Sequence, residues 1–165
     1  MSQKDYFSLL NQLQTFAVDL SSLEAVKNAL LQRLHPDRFV TASALEKRIA
    51  QQMSVQVNEA YRTLADDLLR AQYLCKLKGF DVNEHRPMPA DFLMLQMQWH
   101  EALEACEQTG DEGARQRLFE EVKEHQRLLI ASLRKAFDTD HDDKAAFEAT
   151  RELMFVNKLI TQIQH

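Results

Sequence analysis

Two side chains capable of acid–base work, His35 and Asp37, stand either side of Pro36. An imidazole beside a carboxylate can pass a proton and could serve a hydrolase if a nucleophile stood near. Neither a nucleophile motif nor a pocket-forming one accompanies them, so catalysis is not expected. Metal chemistry fares no better. The chain holds six His and two Cys, with no Cys-x-x-Cys and no His-x-x-x-His spacing. His100 and Glu104 can share a helix face, but such a couple reads as a surface pair. The run Asp138-Thr139-Asp140-His141-Asp142-Asp143 opens like a calcium loop. It then puts Asp143 where the turn needs Gly and Ala149 where a bidentate Glu belongs, so it reads as the acidic start of a helix. Three scattered Gly leave no phosphate-cradling loop, and the chain is not expected to hydrolyse ATP itself. No cofactor is expected.

What remains of His35-Pro36-Asp37 is its place between helices. Upstream, Leu23, Val26, Leu30 and Leu34 recur every three or four residues, as on one helix face. Downstream, Leu45, Ile49, Met53, Val57, Ala60, Tyr61 and Leu64 do the same. Pro36 lacks an N–H and biases its predecessor away from the α region, so the upstream helix ends near Leu34. A loop of about eight residues then carries His35, Asp37 and Arg38 at the tip of a helical hairpin.

All Pro and Gly fall in three places: Pro36, the stretch from Gly79 through Pro87 to Pro89, and the pair Gly110 and Gly113. The long intervals between these breakers predict an all-α chain. Helices are expected over Lys4 to Gln12, from a Ser21/Glu24 capping box to Leu34, and from a Ser43/Glu46 box to Ala65. A fourth, Leu68 to Lys78, is capped by Asp66 or Asp67 and stopped by Gly79. Three more run from Asp91 to before Gly110, from Glu112 to Phe137, and from Asp142 to Gln164, and read as an antiparallel bundle. The expected division is 1–79, a connecting segment 80–90, and a three-helix bundle over 91–165.

Charge is uneven along the chain. Residues 1–80 hold ten Lys and Arg against eight Asp and Glu, a net of +2, whereas residues 81–165 hold ten against seventeen, a net of −7. An acidic second half argues against nucleic acid as its partner. No apolar stretch is long enough to span a membrane, and the polar N-terminus lacks the apolar core of a secretory signal. Cys75 and Cys106 are lone residues on expected helices, which suits half-buried packing groups in a reducing, cytoplasmic setting.

The fifth helix has an apolar surplus. Phe92, Leu95, Trp99, Leu103 and Cys106 form one stripe, and Leu93, Met94 and Met97 form a second about 180° away. The second stripe must be covered within the chain or by another protein. On the last helix, Ala146, Ala149, Leu153, Val156, Ile160 and Ile163 make a core face from which Phe155 points away.

Asp5-Tyr6-Phe7, the His35-Pro36-Asp37 hairpin and Asn58-Glu59-Ala60-Tyr61-Arg62-Thr63-Leu64 resemble, in order and spacing, a J-domain. Arg70-Ala71-Gln72-Tyr73-Leu74 leading to Gly79-Phe80, then Phe92-Leu93-Met94 opening a helix, narrows the resemblance to the HscB family. These are J-type co-chaperones of iron–sulfur cluster assembly, and the similarity spans nearly the whole chain. Neither the Gly/Phe-rich segment nor the zinc region of a general J-protein follows. The resemblance implies a J-domain hairpin before a C-terminal bundle, and two partners. A DnaK-type ATPase (HscA) would meet His35, Pro36, Asp37 and Arg38 with Lys27 and Arg33. The cluster scaffold IscU would rest on Leu93, Met94, Met97, Glu101 and Phe155. The chain departs from the family pattern at Gln98 and Ala105, which replace acidic residues. It departs also at Arg38, where many relatives carry Lys, and at Asp67, where Pro is common. Two rivals stand beside this reading: a J-protein for another client, and a helical scaffold whose loop is only a turn.

Overall fold

The structure, a computed structural model, describes residues 5–84 and 86–165. Lys4 of the expected first helix and His85 of the connecting segment therefore lie outside the described residues. The described residues are helical and irregular, with no strand among them. Seven α-helices follow in order: α1 Tyr6–Leu9, α2 Leu20–Arg33, α3 Ala44–Ala65, α4 Asp67–Leu77, α5 Ala90–Thr109, α6 Glu112–Arg134 and α7 Asp143–Gln164. They form two compact units, Met1–Leu74 and Cys75–His165.

Caps explain most of the boundaries. Ser43 accepts the Glu46 N–H at 3.1 Å, and Asp66 accepts that of Leu69 at 2.8 Å. Gly79 and Gly110 take φ of +87° and +69° just past α4 and α5, a conformation that needs no Cβ. Ser21 is not a cap, contrary to the sequence expectation. Asp19 starts α2 two residues earlier, its carboxylate accepting the N–H groups of Ser21 and Ser22, because a carboxylate competes better than a hydroxyl for helix N-terminal donors. The sixth helix also ends earlier than expected. Lys135–Thr139 widens into a π-helical turn that buries Ala136 and Phe137, and His141 follows at φ +50°.

In the first unit α2 and α3 form the hairpin, with Leu23, Ala50, Val57, Ala60 and Leu64 buried. The α3 stripe read from sequence holds only in its second half. A four-residue step turns the helix by about 400°, so such a row winds off its face by some 40° per step. Exposure follows that winding: Val57 is 1% exposed, Met53 42%, Ile49 46% and Leu45 61%. Tyr73 of α4 stacks on Tyr6 at 4.6 Å, and its hydroxyl accepts the Tyr6 N–H at 2.9 Å. Burial pushes the Tyr73 hydroxyl pKa up. Arg70 is 4% exposed. Its guanidinium donates to Phe16 O (2.5 Å), Leu64 O (2.9 Å) and the Asp67 carboxylate (2.6 Å), and lies over the Phe16 ring.

In the second unit α6 packs against both α5 and α7. Trp99 pairs with Glu121 while Phe92 pairs with His125, so α5 and α6 run antiparallel. Arg115 donates to Ile163 O and Gln126 to Asn157, setting the same sense for α6 and α7. The compact units divide inside α4, whereas the sequence places the division at 80–90. Side chains account for the earlier point: Cys75 Sγ lies 3.6 Å from Thr150 Oγ1, Lys78 pairs with Asp143 at 3.3 Å, and Phe80 packs on Phe147.

Two expectations follow. Arg70→Ala strands two buried carbonyls and a carboxylate, and should lower unfolding stability by about 3 kcal/mol in urea titration of helicity. Arg70→Lys should rescue little, since an ammonium cannot present the guanidinium fork. We also propose that the stretch from Glu84 to Met88 is the first site of limited proteolysis. Its described residues are exposed or half-exposed, and none from 81 to 89 is helical. Cleavage inside α3 before this segment would contradict the division that the sequence places at 80–90.

Candidate functional site

The hairpin tip is not an irregular loop. Pro36–Phe39 forms a single 3-10 turn with Pro36 in its first position, where a missing N–H costs nothing. His35 caps the turn: its Nδ1 accepts the Asp37 N–H at 3.2 Å, and its carbonyl accepts the Arg38 N–H at 2.9 Å. Nδ1 also lies 3.6 Å from an Asp37 carboxylate oxygen. One nitrogen cannot accept the amide and donate to the carboxylate at once, and the shorter, better directed amide contact prevails. That leaves the far ring nitrogen and the Asp37 carboxylate facing outward, the side chains being 59% and 89% exposed. Beneath the tip an open hollow of about 670 Å³ is lined by Leu34, Phe39, Val40, Lys47 and Ala50 among others.

The basic residues of this region are spread. Arg33 and Arg38 are exposed. Lys27 is half-buried, its ammonium 4.2 Å from the Tyr61 ring centroid on α3. Part of its charge is thus engaged by a π face within the hairpin.

The second site lies on α5 and α7. Phe92, Trp99, Leu103 and Cys106 are buried, and Leu95 is half-buried. Leu93, Met94 and Met97 are 44%, 61% and 63% exposed, and Phe155 of α7 is 44% exposed. Leu93, Met97 and Phe155 line one groove of about 470 Å³, with Phe92 and Trp99 among its other walls. The Phe155 ring stands 6.4 Å from that of Phe92. Met94 and Glu101 are exposed on the same side of α5, since positions 93, 94, 97 and 101 span about 100° of the helix, but they do not line this groove.

Sequence reasoning missed four side chains that the fold brings here. Gln96, His100 and Lys158 line the groove rim. His125 of α6 packs on the far side of its floor, between Phe92 and Trp99. A signal for His125 existed. It interrupts the row Leu118, Val122, Leu129 and Leu133, which α6 otherwise buries. Burial holds its imidazole below the ordinary pKa. Among the described residues, no group of three His, Cys, Asp or Glu is placed to hold a metal ion. Nor, among those residues, is any helix long and apolar enough to cross a membrane.

Comparison with known proteins places the chain in a family. Residues 88–164 match the family described as the HSCB C-terminal oligomerisation domain. Over 99% of this chain and 97% of its own length, the co-chaperone protein HscB homolog of Bordetella avium is 42% identical. The structure of the chaperone HscB from Vibrio cholerae superposes with a TM-score of 0.83 at 34% identity, covering 98% of this chain and 96% of that one. Human co-chaperone HscB gives a TM-score of 0.90 at 31% identity, covering 99% and 82%. With full-length identity at this level and the same all-helical fold, the chain belongs to the HscB co-chaperone family.

Proposed function

We propose that this chain bridges a DnaK-type ATPase (HscA) and the iron–sulfur scaffold protein (IscU), stimulating ATP hydrolysis by the first while delivering the second during cluster maturation and transfer. It performs no chemistry itself and works in the cytoplasm. The observation that carries the reading is the exposed strip of Leu93, Met94, Met97 and Phe155 beside a buried aromatic floor. Large apolar side chains left half-exposed around a groove are what a protein partner buries. Glu101 gives that strip an acidic rim, although Gln98 and Ala105 leave the rim thinner than is usual in the family.

At the other site His35, Pro36, Asp37 and Arg38 offer a polar tip held in one shape by the 3-10 turn. A preformed tip binds without first being ordered. Arg33 and Lys27 add positive charge, with Lys27 partly held by Tyr61. The tip biases the ATPase towards its hydrolysing state by binding that state better, a population shift. Carrying both surfaces on one chain raises the effective concentration of client and chaperone for each other.

His35→Gln and Asp37→Asn alter exposed side chains and should change stability by less than about 0.5 kcal/mol. Each should remove most of the stimulation of partner ATPase while scaffold binding, measured by calorimetry, is retained. Full stimulation by either variant would reduce the tripeptide to a helix stop.

The combined change Leu93→Ala, Met94→Ala and Phe155→Ala should weaken scaffold binding well over tenfold, since central anchors cost about 2 kcal/mol or more each. Scaffold-free ATPase stimulation and the melting temperature should change little, because all three side chains are already over 40% exposed. A collapse in melting temperature with affinity preserved would mean that these side chains serve the fold.

A further inference from the structure

One polar side chain breaks the buried row of α6. Leu118, Val122, Leu129 and Leu133 are 6% exposed or less, and His125 takes the position between Val122 and Leu129. Its ring lies along that of Phe92, with centroids 6.2 Å apart and planes 25° apart, and meets Trp99 edge-on at 5.1 Å and 76°. Its Nε2 is buried and, among the described residues, has no hydrogen-bond partner. A Leu or Phe would fill this position without an orphaned nitrogen, so the imidazole demands an explanation. Both rings it touches line the groove that faces the proposed client.

We propose that His125 is a positioning residue for this groove: its uncharged imidazole, wedged between Phe92 and Trp99, holds both rings as the floor, and protonation releases them. The inference rests on the reading of the groove as a client surface. An imidazolium carries two N–H donors, and the apolar wedge offers Nε2 no acceptor. Titratable and charged groups border the two rings and the groove on all three helices, in space or in sequence. On α6 Glu121 stands one turn earlier, its carboxylate accepting the Trp99 Nε1–H at 3.4 Å, while Glu124 is paired with Arg127. From α5 come His100 on the groove rim and Asp91 beside Phe92. From α7 come Lys158 on the rim and Glu152 one turn before Phe155. Glu121 is the acceptor an imidazolium would seek, and turning to it would take that carboxylate from the Trp99 indole. The charged ring thus disturbs both floor residues together.

The direction with pH follows. Burial holds the folded imidazole below the ordinary value of about 6.5, so the unfolded or loosened state binds the proton more readily. The ordered floor is fully present above that ordinary value. It is lost as pH falls from about 6.5 through the lower folded value.

Trp99 is the chain's one tryptophan and touches the titrating ring, so its fluorescence reads the event directly. Between pH 8 and 5 the full chain should show a step in Trp99 emission with its midpoint below about 6.5. His100→Gln should keep the step, and both His125→Gln and His125→Phe should lose it, the two variants guarding against failure of either to fold. Affinity for the cluster scaffold protein should fall with acid by up to about tenfold per pH unit more in the wild type than in His125→Gln, the slope of one linked proton. A flat wild-type emission, a step that survives both His125 variants, or identical acid dependence of affinity in wild type and His125→Gln overturns the proposal. Absence of scaffold binding at pH 7.5 with the Trp99 step intact overturns the client reading instead, and supports the imidazole as the residue that shapes the groove.

Discussion

Helix α5 carries more apolar side chains than one face can bury, and the organisation of the C-terminal unit follows from that constraint. A helix packed on its neighbours hides a stripe a little over 100° wide. Phe92, Trp99, Leu103 and Cys106 fill that stripe, with α6 packed against the helix and Phe155 of α7 beside Phe92. Leu93, Met94 and Met97 are then turned outward by the same helical geometry that buries the others. Leaving such a strip in water is unfavourable by roughly 25 cal/mol for each Å² of apolar surface. The unit tolerates it because α6 and α7 supply a long buried seam, Leu118 to Leu133 on the first and Ala146 to Ile163 on the second. A partner that covers the strip recovers the hydrophobic free energy which folding leaves unused.

The N-terminal unit solves the opposite problem, that of holding two polar side chains outward in one arrangement. Pro36 ends α2 and begins the 3-10 turn, and His35 donates no chemistry but closes the turn by accepting the Asp37 amide. One imidazole nitrogen is spent on local structure, and the other faces solvent. This division suits a tripeptide with acid–base side chains to the recognition role proposed for it rather than to catalysis. Its rigidity depends on the hairpin beneath it, and the hairpin in turn is anchored through Leu64, whose carbonyl accepts from the buried Arg70 guanidinium.

Much of this was legible in the residues. The three clusters of Pro and Gly, the Ser43 cap, the glycine stops after α4 and α5, and the double stripe of α5 all arise from local rules: backbone sterics, capping and a period of 3.6. The first half of α3 was not legible in that way. Leu45, Ile49 and Met53 look like a continuation of the buried row, yet a four-residue spacing winds off the core face, and only the position of α2 says where the row leaves it. The start of α2 was likewise a contest between Ser21 and Asp19 that the stronger acceptor won.

By itself the sequence determined helix order, the hairpin with its His35-Pro36-Asp37 tip, the acidic second half and the existence of a spare apolar face on α5, because each depends on neighbours within a few residues. Tertiary structure decided which α5 side chains join Phe155 in a groove, and that Met94 and Glu101 stand outside it. It decided too that Lys27 leans on Tyr61, and that His125 meets Phe92 and Trp99. Those contacts join residues between 26 and 62 positions apart. No spacing rule reaches so far, since the meeting of two faces is set by the rotation of each helix against its neighbours.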